Sequence, residues 1–432
     1  MNVGKCIITG IIGFVGIGFK EKVISFCQRK ANKAQISINK CESLDFVEAT
    51  HRHKVYPLMY CYMELDRNLD IDQLQTAVIR SCQYVPEILQ AYDFARGRFI
   101  DKGFTVGDII SHASDLPQWK LDKRPQLQIV INDEKKKMII GMSHILTDGV
   151  GFLQYLYLLS FLYNGHTPAF PLENCRDIAP VLKNVHIGRT TEQTRQHKHI
   201  TVPPLRKSSN GKKQFCLCSH IYPEDFSALY CKSRKQNVTL NDVFITAYAR
   251  VISRLHEIQT VVIPCPADLR KFSSMQGKFT VANMTGIYRK IVVEIKPQHS
   301  FSQTLSQVHI EMELQKSRFR CLVGIRPLDY TFHKIPRFIL ALGIKWFYHL
   351  LPVSYTNFGK IDHTKLFFNN CKITSCYTTG TYRFPPDFQI SISTFQNVCT
   401  LNCTLTGQDT DKMTGQHILD EVKNEIIDWG NT

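Results

Sequence analysis

The chain has 432 residues, enough for two or three domain-sized cores or one large two-lobed body. Its 44% hydrophobic and 21% charged content is that of an ordinary globular protein, but the net charge of +16 asks for an acidic partner: nucleic acid, an anionic membrane or a phosphate-bearing cosubstrate. No arginine-rich tail, zinc-finger spacing or RNA-binding aromatic signature is present, which argues against nucleic acid; the plain alternative to any partner is a solvated basic surface.

Residues 6–19 are apolar and glycine-rich, and Lys20, Lys22, Arg29, Lys30 and Lys33 follow them. The run is short of the ~20 residues of a transmembrane helix. It has the length of a signal-peptide core, yet no clear small-x-small cleavage site follows. Two readings stand: a tether at a membrane surface through residues 1–35, or an N-terminal element packed on the body. Its glycines do not spell G-x-G-x-x-G, so a dinucleotide loop is rejected.

The globular part begins near Leu44. Tyr56–Leu65 reads as a strand, and Asp70 caps an amphipathic helix over 70–80 that stops before Pro86. Residues 126–132 and 137–143 are apolar strands around the polar turn Asn132-Asp133-Glu134-Lys135, a hairpin. Its second strand ends at His144, passes through Asp148 and Gly149, and enters an apolar helical stretch over 152–163. Histidine is the side chain best suited to take a proton near neutral pH. Gly149 and Gly151 allow close backbone approach, and a helix start favours developing negative charge. The bland alternative is an ordinary strand-turn-helix connection carrying a surface histidine.

Residues 188–213 are polar, with Pro203-Pro204 and a basic run (Arg206, Lys207, Lys212, Lys213), the composition of a connector. A strand over 214–221, a helix over 223–232 and a threonine-capped helix over 239–253 follow. Val261–Arg270 and Val281–Gly286 come next. Residues 338–351 form an amphipathic stretch expected to pack into the core. Residues 388–397 and 400–406 alternate as paired strands, and a terminal helix over 417–429 closes the chain. The 15 cysteines are scattered without C-x-x-C spacing, Cys216 and Cys218 forming only C-x-C. That usage implies reduced, mostly buried thiols in a cytosolic setting and no metal site.

The H-x-x-x-D-G pattern of His144, Asp148 and Gly149 at a strand-to-helix junction resembles the motif of the acyltransferase superfamily of chloramphenicol acetyltransferases, alcohol O-acetyltransferases and peptide-synthetase condensation domains. Three further segments resemble that superfamily in order: the helix and arginine-ended strand at 239–270, the loop at 281–286 (Ala282 where glycine is usual), and Ser354-Tyr-Thr-Asn357-Phe-Gly359, similar to its latch segment. The likeness covers residues 40–430. Ser143 stands where many condensation domains carry a second histidine, and the Asp-Phe-Gly-Trp-Gly segment of plant acyltransferases is absent.

The resemblance implies a mixed α/β (α+β) fold of two chloramphenicol-acetyltransferase-like lobes, 40–187 and 214–432, joined by the 188–213 linker, preceded by the 1–39 segment, with a channel between them. It implies direct transfer of an acyl group from a thioester, acyl-CoA or a carrier-bound acyl group, to an alcohol or amine. His144 would be the general base and the N–H at Gly149 the oxyanion donor, with no cofactor besides the acyl-CoA cosubstrate. Asp148 and Arg270 would form a structural ion pair beside the site. Asn283, Asn357 and Gly359 would contact substrate or shape the channel. The competing functions are a catalytically silent scaffold and a peripheral membrane protein.

Overall fold

The computed structural model of the protein describes residues 38–39 and 41–432, except 115, 135, 170, 185–201, 206–212, 273–276 and 349. The apolar run at 6–19 and most of the 188–213 connector therefore lie outside the described residues. Among the described residues no helix is long and apolar enough to cross a membrane.

The hairpin expected around residue 135 is present: Leu127–Asn132 and Lys137–Ser143 pair antiparallel, Leu127 opposite Met142. Lys137–Ser143 also pairs with Leu58–Leu65 on its other edge, so the strand leading to His144 is internal to a five-stranded sheet. Both edges being paired, its backbone N–H and C=O groups are met along its length. Pro57, which has no N–H to donate, divides the expected strand at 56–65 into Val55–Tyr56 and Leu58–Leu65. The two pieces enter different sheets.

Helix Ile71–Ser81 starts where its cap predicts, with Asp70 Oδ1 accepting from the N–H of Gln73 at 3.0 Å. Helix Gly149–Tyr163 is apolar nearly all round and is buried accordingly. Both helices share the first hydrophobic core with the five-stranded sheet, including Leu58, Leu74, Ile140 and Phe152.

A second core gathers Val243, Tyr248, Ile263, Ile291, Leu401 and Ile418. It holds helix Leu240–His256, opened by a reciprocal cap between Thr239 and Asp242, and the terminal helix Asp409–Asn431. The second large sheet runs Val353–Ile361, Phe388–Phe395, Val398–Gly407, Tyr382–Arg383, Val55–Tyr56, with Lys213–Ile221 also on Val398–Gly407. Residues Asn39–Thr432 form one compact unit around these two cores. The cores are not successive in the chain. Ile373–Thr378 crosses back to pair with Leu58–Leu65, and Val55–Tyr56 crosses the other way.

The stretch at 338–351 joins the core on one face, as expected of an amphipathic segment. Helix Arg337–Phe347 buries Leu340 and Ile344, but Phe338 (69% exposed), Leu342 (57%) and Trp346 (76%) face outward. Apolar residues lie on too much of its circumference for one packed face to cover, so only part of it joins the core.

Candidate active site

His144 lies one residue beyond its strand. Its N–H still reaches the carbonyl of Pro57 at 2.9 Å, and the chain then turns: the N–H groups of Leu146 and Thr147 donate to the carbonyl of Ser143 at 3.0 and 3.2 Å. The Ser143 hydroxyl accepts from the N–H of Ile145 at 3.2 Å, a local bond that suits the tight turn at this position. The histidine is thereby held at the rim of the sheet, where it borders a cavity of about 400 Å³. That volume falls within the roughly 300–1,000 Å³ of small-molecule sites. Nδ1 of His144 is shut off from solvent and has no hydrogen-bond partner, which leaves Nε2 as the ring nitrogen available to a ligand.

Asp148 faces elsewhere. It caps helix Gly149–Tyr163 through the N–H of Gly151 at 2.9 Å. Its two carboxylate oxygens take Nη1 and Nη2 of Arg270, each at 3.0 Å, and it also accepts from the Met284 N–H and the Thr285 hydroxyl at 2.8 and 2.9 Å. Burial alone would raise this carboxyl. Arg270 and the backbone N–H groups of Gly151 and Met284 outweigh burial and hold it below the usual carboxylate range. Arg270 further donates to the carbonyls of Thr280 and Ala282, so the pair closes the gap between the motif helix and the 280–285 segment.

The two glycines serve different ends. Gly149 borders the cavity at the first position of the helix, ahead of the first intrahelical bond from the Phe152 N–H to the Asp148 carbonyl. A Cβ there would meet the Phe358 ring at 2.7 Å. Gly151 is pressed against the neighbouring backbone, where a Cβ would lie 2.8 Å from the Thr280 carbonyl oxygen and 3.1 Å from the Ala282 nitrogen. Gly151→Ala is therefore expected to destabilise the fold by about 1–3 kcal/mol, read by denaturant unfolding.

Asn283 lines the cavity, with its amide nitrogen turned into the protein. Nδ2 sits 3.0 Å from the carbonyl oxygens of both His144 and Ile145, and 2.9 Å from Asp45 Oδ1. Asp45 in turn pairs with Arg176 at 2.7 Å, and Arg176 donates to the carbonyls of Leu146 and Val281. This buried network braces the backbone on which the imidazole is mounted. Asn283→Ala is expected to cost about 1–3 kcal/mol of stability, read by denaturant unfolding, because it strips buried carbonyls of their donor.

Asn357 and Gly359 are corrected: neither borders the cavity. The strand Val353–Ile361 has a register shift between them, Gly359 takes φ +72°, and Asn357 Oδ1 accepts the Gly359 N–H at 2.8 Å. Thr356 and Phe358 line the cavity in their place.

Residues outside any motif complete the lining. Glu48, Arg289, Arg383 and Gln389 supply polar groups to walls otherwise formed by side chains such as Val47, Met59, Pro264, Ile287 and Leu351. Arg289 is exposed and stacks over the Tyr348 ring at 3.9 Å. No sequence signal marked these four, nor Asp45 and Arg176. Among the described residues no group of three or more histidine, cysteine, aspartate or glutamate side chains is placed to hold a metal.

The sequence matches no protein-family model and no curated protein. Solved structures share its architecture. Polyketide synthase associated protein 5 from Mycobacterium tuberculosis aligns over 91% of this chain and 98% of its own, with a TM-score of 0.65 at 14% identity. TRI3 trichothecene 15-O-acetyltransferase from Fusarium sporotrichioides aligns over 90% and 93%, with a TM-score of 0.61 at 10% identity. The epimerization domain from the third module of tyrocidine synthetase B aligns over 92% and 96%, at 0.60 and 12%. An acetyltransferase and an epimerization domain on one architecture show that the fold does not by itself name the reaction. The chain has the two-lobed, mixed α and β fold of solved condensation domains and of this acetyltransferase, with His144 and Gly149 bordering a cavity lined from both of its cores.

Proposed function

We propose that the protein is an acyltransferase that moves an acyl group from a thioester directly to a hydroxyl or amine. The observation that supports this reading is that His144 and Gly149 are both among the residues lining one largely apolar cavity. The tautomer that reacts is the neutral imidazole with its proton on Nδ1 and its Nε2 lone pair toward the cavity. Nε2 takes the proton of the acceptor as that atom attacks the thioester carbonyl. The carbonyl oxygen gains charge as its π bond opens, and the Gly149 N–H at the positive end of the helix stabilises it. Collapse of the tetrahedral species re-forms the carbonyl and expels the thiolate, which takes the proton back from the imidazolium. Asp148 and Arg270 hold the loop in place and exchange no proton.

A diffusible acyl-CoA suits the +16 charge, since its phosphates would meet a basic surface, with Arg289 exposed on the cavity wall. A carrier-protein-bound donor is the second reading, favoured by the architectural likeness to a polyketide synthase associated protein. Thiol release from a panel of acyl-CoAs and acyl-pantetheines, each offered mixed alcohols and amines, tests the reaction and separates the donors. Release that does not depend on His144 would overturn the mechanism. No turnover on any thioester would leave a non-catalytic scaffold as the better account.

A further inference from the structure

Arg383 ends the short strand Tyr382–Arg383, opposite Val55 on one side and Leu405 on the other. The residue is 7% exposed and lines the same cavity as His144. Among the described residues its guanidinium has a single hydrogen bond, from Nε to Gln389 Oε1 at a long 3.4 Å, and Nη1 is buried without a partner. Burial pulls its pKa below the usual arginine range; Asp387 and Glu48 oppose this through space, but neither forms an ion pair with it among the described residues. Two other buried arginines are held differently: Arg270 grips Asp148 and Arg176 grips Asp45, each by direct contact.

A guanidinium cannot shed its charge, so one left in an apolar wall with donors unused is strongly disfavoured unless an anion meets it. Nη1 is closed off, and Nη2 is the nitrogen left to meet a carboxylate oxygen from the cavity in a charge-assisted hydrogen bond. Charge decides between carboxylate and phosphate. Apart from Asp148, which Arg270 holds, the cavity walls carry Arg383 and the exposed Arg289 against Glu48, one net positive charge beside the neutral amide of Gln389, which neutralises a monoanion and would leave a phosphate dianion in excess.

We propose that Arg383, with Gln389 fixing its orientation, binds a carboxylate of the substrate, so that either the acyl group or the acceptor is an organic acid. This rests on the acyl-transfer reading for the identity of the two substrates, but not for the existence of the site. Binding is therefore measured first, without turnover, by calorimetry of hexanoate against hexanamide on the full-length protein and on Arg383→Met. The wild-type protein should prefer the acid by roughly 30-fold or more, and the variant should lose that preference. Arg383→Met should melt no lower than the wild type, since a charge without a partner is removed and the side-chain length kept.

Two turnover comparisons then locate the carboxylate. Glutaryl-CoA against pentanoyl-CoA with a neutral alcohol reports on the acyl group; 6-hydroxyhexanoate against hexan-1-ol with acetyl-CoA reports on the acceptor. The acid-to-neutral ratio of kcat/KM should exceed one in one pair and collapse in Arg383→Met. Equal wild-type binding of hexanoate and hexanamide, or a clear fall in melting temperature on Arg383→Met, would overturn the site. Acid-selective binding with no turnover on any thioester would uphold it and sink the acyl-transfer reading instead.

Discussion

Replacing His144 by alanine is expected to lower acyl transfer by roughly 10²–10⁴-fold, the usual contribution of a positioned general base. The same substitution should leave stability within about 0.5–1 kcal/mol of the wild type. The two halves of the expectation have one origin. The imidazole borders the cavity, its Nδ1 bonds to nothing, and the main-chain bonds that fix the residue survive the change: its N–H to Pro57 and its carbonyl to Asn283. Little is lost to the fold when the ring goes, while the proposed mechanism loses the group that would take the proton of the acceptor. Thiol release under saturating donor measures the first half and thermal unfolding the second. Activity persisting within a few-fold of wild type would mean that another group, or solvent, receives the proton. A large fall in melting temperature would mean that the ring is a packing element and that its place on the cavity is incidental.

The local elements were readable because each rests on short-range chemistry. The Asp70 and Thr239 caps, the polar turn between Leu127–Asn132 and Lys137–Ser143, and the apolar run of the motif helix all state their conformation within a few residues. The ordered segments beyond the motif carried the two-lobed fold. What could not be read is pairing over long separations. Nothing in the alternation of Ile373–Thr378 says that it joins Leu58–Leu65 rather than the nearer Phe388–Phe395. Arg383 reaches the cavity only because its strand lies between Val398–Gly407 and Val55–Tyr56, and Asp45 meets Asn283 across 238 positions of sequence. The likeness to a latch segment names Asn357 and Gly359 but does not say which side chains of Val353–Ile361 border the cavity.

The second large effect belongs to Asp148, and it is an effect on folding. Asp148→Asn keeps the shape of the side chain and can still cap the helix, but it removes the charge that the Arg270 guanidinium faces at 3.0 Å on two nitrogens. Both side chains are almost fully enclosed, 2% and 4% exposed, so water cannot replace the lost partner. Breaking a buried pair on one side costs about 3–5 kcal/mol. Asp268, whose Oδ1 also receives Arg270 Nη1 at 2.9 Å, should bring the loss toward the lower end of that range. A native domain holds only about 5–15 kcal/mol in all, so even this fraction should lower the urea midpoint visibly. The pH dependence gives an independent check. The Asp148 carboxyl is held below its ordinary range in the fold, so its contribution is complete above the unfolded value of about 3.9 and is lost as pH falls through the folded one. Asp148→Asn should accordingly be less stable than wild type at pH 7, with the gap closing in acid. Pairing it with Arg270→Met should recover part of the loss, because a methionine leaves no stranded charge, and the double-mutant coupling should be roughly 2 kcal/mol or more. Under conditions where Asp148→Asn remains folded, turnover should stay far above that of His144→Ala, since none of the hydrogen bonds of Asp148 reaches the imidazole. Equal loss of turnover in the two variants, with Asp148→Asn fully folded, would show that the carboxylate acts on the base after all.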